Sequence, residues 1–144
     1  MKVDFELVSF PYQEEAVIKA TQKTEDIQTA IDILEHGISC VMVFKENEKY
    51  LCKMENIYYA ESVDKKTFIY TIDECYQTKK RLYELEEELS ANFLRCSKSL
   101  IVNIKKIKAV KSDLNGRMNA QLLNGETIVI SRSYVKDLKR KLGL

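Results

Sequence analysis

The chain has 144 residues, 45% hydrophobic and 31% charged, with four glycines and one proline, which excludes the disordered, collagen-like and low-complexity classes. That length predicts one domain with at most a short extension, and the longest uninterrupted apolar runs, such as Cys40 to Phe44, fall far short of the roughly 18 residues that cross a bilayer. The net charge of +1 hides two opposed halves, since residues 1–92 hold 11 Lys/Arg against 19 Asp/Glu while residues 93–144 hold 12 against 3. A basic second half behind an acidic first half points to a polyanion, with nucleic acid as the leading partner; a merely solvated basic face is the alternative.

At the N-terminus, Val3, Phe5 and Leu7 alternate with Asp4 and Glu6, the period-2 pattern of a half-buried strand over residues 2–10 that Pro11 ends. Acids at these positions leave no room for the apolar stretch of a signal peptide, so a cytoplasmic protein is expected, with no membrane insertion. Ala16 to Ile18 can form a second strand. Thr24 then caps a helix whose Ile27, Ala30, Ile31 and Leu34 recur at helical spacing before Gly37 stops it. His36 sits at that helix end, where an imidazolium favours the dipole.

From Ile38 onward short strands succeed one another at Ser39–Phe44, Lys49–Lys53, Ile57–Ala60 and Thr67–Ile72, separated by charged turns such as Glu46-Asn47-Glu48 and Asp64-Lys65-Lys66. Arg81–Leu89 is a helix with Leu82, Leu85 and Leu89 on one face and glutamates outward. Strands follow at Lys106–Lys111, Arg117–Leu123 and Glu126–Ile130, joined at Asn115-Gly116 and Asn124-Gly125, where Asn-Gly tolerates the positive φ of a tight hairpin. A basic amphipathic helix over Ser133–Leu142 closes the chain, with Val135, Leu138 and Leu142 inward.

The four cysteines, Cys40, Cys52, Cys75 and Cys96, show no C-x-x-C spacing and the chain has one histidine, so neither a metal site nor any other cofactor is expected; the thiols read as reduced and mostly buried. No nucleophile elbow, metal spacing or glycine-rich loop supports an enzyme. RNA recognition lacks its exposed aromatic motif.

One constellation is more specific. Phe93-Leu94-Arg95-Cys96-Ser97-Lys98-Ser99-Leu100-Ile101-Val102-Asn103, then Ile107, Asn124-Gly125 and Ser131-Arg132-Ser133-Tyr134, resembles the LytTR family signature F-x-R-x-x-x-S-x-[IV]-V-N, a following isoleucine, N-G and S-R-x-Y. Ile57-Tyr58-Tyr59-Ala60-Glu61 and Leu82-Tyr83-Glu84-Leu85-Glu86 resemble its I-x-Y-[IA]-E strand and L-x-x-L-E helix. The likeness spans about Cys40 to Gly143. It implies an α+β fold that is mainly β, elongated and with few short helices, here over residues 38–144 and preceded by a small β-β-α segment over residues 1–37. It also implies a stand-alone bacterial transcriptional regulator that binds duplex DNA, inserting loops rather than a recognition helix into successive major grooves.

By that resemblance the DNA-binding residues lie in three loops: Lys65, Lys66 and Thr67; Ser97, Lys98 and Ser99; and Arg132, Ser133 and Tyr134. Each offers a cation to hold phosphate and a hydroxyl to read or position. Lys105, Lys106, Lys108 and Lys111 are expected to extend this rim. Asn103 either touches DNA or ties down a turn, and Ser131 has the same ambiguity as a helix N-cap. Arg95 suggests a partly buried ion pair with a middle-helix glutamate, or else a phosphate contact. For Cys96 two readings stand. Between Arg95 and Lys98 its thiolate would be stabilised, and strand alternation from Phe93 turns it toward the DNA-facing loop, which suggests a redox-sensitive site; the bland reading is a small apolar packing residue. The competing function is a protein-interaction or ligand-sensing module that self-associates as a homodimer through an edge strand at Val3–Phe10. A dimer or tandem pair on DNA would need half-sites about 10–10.5 bp apart.

Overall fold

A computed structural model describes residues 1–37 and 39–144; the side chain of His36, and with it the imidazolium reading, lies outside the described residues. The chain divides into two units, Met1–Ile38 and Ser39–Leu144. In the first, α1 (Glu25–His36) begins where Thr24 Oγ1 accepts the Ile27 N–H at 3.3 Å, with Glu25 and Asp26 complementing the helix dipole in the first turn. Gly37, at φ 81°, ends it.

The two strands expected before that helix do not form. No strand is assigned in residues 1–23, and Val3, Phe5 and Leu7 are 84%, 89% and 86% exposed. Alternation states which face a strand would bury, but a strand exists only where a neighbour takes up its N–H and C=O groups, and no described segment pairs with this one. The β-β-α extension is therefore, in this structure, an irregular stretch followed by a helix.

The second unit is built on a seven-stranded antiparallel sheet. Its strands are β1 (Cys40–Lys45), β2 (Glu48–Lys53), β3 (Tyr59–Val63), β4 (Lys66–Tyr70), β5 (Cys75–Thr78), β6 (Phe93–Ser97) and β7 (Leu100–Asn103), in the order β2-β1-β5-β4-β3-β7-β6. Between β5 and β6 runs α2 (Leu82–Glu88). A three-stranded sheet follows, β8 (Ile107–Ser112), β9 (Met118–Leu122) and β10 (Thr127–Ile130), and then α3 (Arg132–Leu142). The mainly β, α+β class holds. Strand β5 is absent from the sequence reading, because Cys-Tyr-Gln-Thr carries neither alternation nor an apolar run; it is recruited by pairing with β1 and β4 on its two sides.

Strand alternation places a core on each face of the large sheet. Val41, Val43, Ala60, Ile69 and Ile101 pack with Leu82, Leu85 and Leu89 of the α2 region. Val102, the neighbour of Ile101, belongs with Cys96 to the opposite core, formed with Met118, Ala120, Leu122, Ile128, Ile130 and Leu138. Leu138, fully buried with Val135 and Leu142 packed on the same core, anchors α3, and burial of such a side chain contributes roughly 1.5–3 kcal/mol.

Candidate nucleic-acid interface

Register decides which loops meet. Antiparallel β3 and β4 join at Asp64-Lys65, both at positive φ (50° and 67°), so the turn closes in two residues. The Ser62 N–H, at the end of β3, donates to Ser99 O at 2.8 Å and lays the β6–β7 turn beside this one. The Ser131 N–H donates to Cys96 O at 2.8 Å, which brings the first turn of α3 to the same end of the sheet. Three segments far apart in sequence thus converge. Lys65, Lys66, Lys98, Ser99, Arg132 and Ser133 are exposed there, while Ser97 and Tyr134 are half-buried. Tyr134 leans on the second core.

The β6–β7 turn is braced from within. Arg95 Nε donates to Ser97 O at 2.7 Å and Nη2 to Lys98 O at 2.5 Å, while Nη1 pairs with Glu86 at 2.7 Å. The expected ion pair with a middle-helix glutamate is therefore present, and the fork of the guanidinium, which a lysine lacks, does the bracing. Ser97 Oγ accepts the Ser99 N–H at 3.2 Å. Ser131 makes no side-chain cap, which leaves the N–H groups of the first turn of α3 without one.

Several expected site residues are placed elsewhere. Thr67 lies within β4 rather than in a loop, opposite Ser62 and Thr78, and is buried. Asn103 is buried at the other end of β7, roughly 10 Å along the strand from the turn. Its Nδ2 donates to Ile57 O at 2.9 Å and its Oδ1 accepts the Lys105 N–H at 3.1 Å, so it ties down a turn. Lys106 follows it to that far end, half-buried, with Nζ 5.2 Å from the centre of the Tyr58 ring. The expected continuation of the rim through Lys105 and Lys106 is thereby interrupted by the length of a strand.

Cys96 is fully buried, and its Sγ donates to Leu100 O at 3.4 Å. Burial pushes the thiol up to about 12, against the smaller lowering influence of Arg95. Alternation turns it away from Phe93, as expected, but that second face is not open to solvent, because the small sheet covers it. A buried thiol held neutral is the opposite of a sensor's exposed thiolate.

One cation of this end was missed. Arg117 is exposed beside Gly116, whose absent Cβ would lie 3.1 Å from Cγ of Arg132, so the β8–β9 turn and the start of α3 are in contact. The Asn115-Gly116 turn, with φ 61° and 77°, was the available signal.

Residues 47–143 match the model of the LytTr DNA-binding domain. The sensory transduction protein LytT of Enterococcus faecalis is 29% identical over 140 residues, covering 93% of this chain and 58% of the relative. The transcriptional regulatory protein YpdB of Escherichia coli K12 is 27% identical over 149 residues, 97% of this chain and 61% of its own. The chain thus spans about three fifths of the length of these relatives. A solved LytTr DNA-binding domain from Bacillus cereus superposes with a TM-score of 0.70 at 30% identity, covering 74% of this chain and 98% of that one. With two thirds of its residues matched in order, this chain belongs to the LytTr DNA-binding domain family.

Proposed function

We propose that this protein is a transcriptional regulator that binds duplex DNA by presenting the β3–β4 turn, the β6–β7 turn and the start of α3 to the major groove. The observation that carries the reading is their convergence at one end of the large sheet, with Lys65, Lys66, Lys98, Arg117 and Arg132 exposed and in no ion pair among the described residues. Exposed cations on fixed turns hold phosphates, and Ser99, Ser133 and Lys98 are the groups able to reach base edges. The uncapped N-terminus of α3 adds its positive dipole end toward a phosphate.

Selection of bound fragments from a random duplex library tests this. An enriched motif is expected, and Lys98→Ala should weaken binding to it by about 1–3 kcal/mol and relax one base position. Recovery of the unselected library, with binding insensitive to salt, would refute the reading.

A second reading, compatible with the first, is self-association. Val3, Phe5, Leu7 and Phe10 are each more than four fifths exposed, an apolar series that a second copy of the chain would cover by strand pairing. Sedimentation of the intact chain beside a Phe5→Asp variant tests it: a dimer lost on substitution supports the pairing, and a monomer in both removes it.

A further inference from the structure

The sheet end that carries the three turns carries a fourth basic segment, Thr78-Lys79-Lys80-Arg81, at the exit of β5. In the β4–β5 register the outermost pair is Thr67 with Thr78, so Lys66 and Lys79 are the next residues outward on two neighbouring strands, which lie about 5 Å apart. Read across the sheet, the end runs Lys79, Lys66, Lys65, Ser99 and Lys98, which is five strands from β5 to β6 and roughly 19 Å at the usual spacing. A major groove is about 12 Å wide, so a row of this length reaches past the groove to the phosphates on its border.

The local structure holds Lys79 outward. Thr78 is buried, its Oγ1 accepts the Lys80 N–H at 3.3 Å, and this bond bends the chain after the strand. The three cations of the segment are then not equivalent. Lys80 turns back to α2 and pairs with Glu88, and the Arg81 N–H is fixed by Glu84 Oε1 at 3.2 Å as α2 begins. Lys79 is exposed, and among the described residues it has neither an ion-pair nor a side-chain hydrogen-bond partner. Like charges facing each other on adjacent strands are unfavourable unless an anion joins them.

We infer that Lys79 is a DNA-backbone contact, binding with Lys66 a phosphate at the border of the groove that the three turns enter. This rests on the DNA-binding reading above and extends the interface by one strand beyond the residues carrying the family signature. A backbone contact adds affinity and salt dependence without adding sequence preference.

The test uses the full chain and a mixed-sequence duplex, with affinity measured across a salt series for wild type, Lys79→Ala, Lys79→Glu and Lys105→Ala. Lys105 is an exposed cation at the opposite end of the sheet, where the chain leaves β7. Lys79→Ala should make the slope of log K against log salt shallower by about 0.9, Lys79→Glu should weaken binding further, and Lys105→Ala should leave the slope unchanged. Thermal melts confirm that each variant is folded. Wild type binding with a slope that Lys79→Ala leaves in place would overturn the inference and spare the DNA-binding reading. Wild type that fails to bind the duplex at all would overturn both.

Discussion

The two ends of the large sheet use the same residue types to opposite purpose. At the far end two cations are taken up internally: Lys45 pairs with Glu74, and Lys106 lies over the Tyr58 ring. At the near end Lys65, Lys66, Lys98 and Arg132 have no such partners among the described residues, while the one guanidinium that turns inward, Arg95, holds a turn in shape. Composition counts all of these as positive charge. The difference teaches that a basic half becomes an interface only where the fold withholds the carboxylates.

The largest effect should come from removing the near-end set at once. Replacing Lys65, Lys66, Lys98 and Arg132 together by alanine should make the salt slope shallower by roughly 3 to 4, at about 0.9 per phosphate contact. Replacing Lys45, Lys105 and Lys106 should leave it near the wild-type value. Equal shifts in the two sets, measured by fluorescence anisotropy over a salt series, would erase the distinction between the ends.

Asn103 sharpens the contrast from the other side, as a motif residue whose work is structural. Asn103→Ala leaves Ile57 O and the Lys105 N–H without their partner, at a cost of about 1–3 kcal/mol in unfolding free energy. Urea titration checks the stability. Affinity for DNA, corrected for the folded fraction, should not change, and a loss at full folding would return Asn103 to the interface.

What the sequence made legible was what depends on local pattern. α2 and α3 follow from leucine spacing, and the hairpin turns at Asp64-Lys65 and Asn115-Gly116 from turn chemistry. What it hid depends on pairing across distance. Residues 2–10 had the alternation of a strand and no partner, while Cys75–Thr78 lacked the alternation and had two. The same blindness joined Lys106 to Lys98, since eight residues of sequence do not say that β7 carries the chain from one end of the sheet to the other.

Cys96 offers a pH readout of the core beneath the interface. Its thiol is raised in the folded state from the usual 9.0 to about 12, so the fold favours the protonated form. Its contribution is complete below about pH 9 and is lost as pH rises toward 12, because the unfolded chain sheds the proton first. Stability should fall by roughly 1 kcal/mol by pH 10 from this group alone, a decline that Cys96→Ala removes. Buried Cys52, raised likewise by desolvation, adds to the slope in both proteins and cancels in the comparison. Alkylation at pH 8 should label exposed Cys75 and spare Cys96 until the chain is denatured. Rapid labelling of Cys96 in the folded protein would reopen the redox reading.

The smallest effect separates charge from shape at a single residue. Lys65 holds φ 67° at a turn position that asparagine and glycine occupy readily, and a side chain there costs about 1–2 kcal/mol relative to its normal backbone region. That a lysine stands at this position suggests that its charge at the tip outweighs the strain. Lys65→Gly should therefore raise stability by up to about 1 kcal/mol, the gain being reduced because glycine also loosens the unfolded chain. In the same variant the salt slope should become shallower by about 0.9. Stability and binding moving in opposite directions in one substitution would mark the near end as strained for function. If Lys65→Gly gains stability and binds mixed-sequence duplex with an unchanged slope, the β3–β4 turn carries strain without contact, and the interface shrinks to the β6–β7 turn and the start of α3.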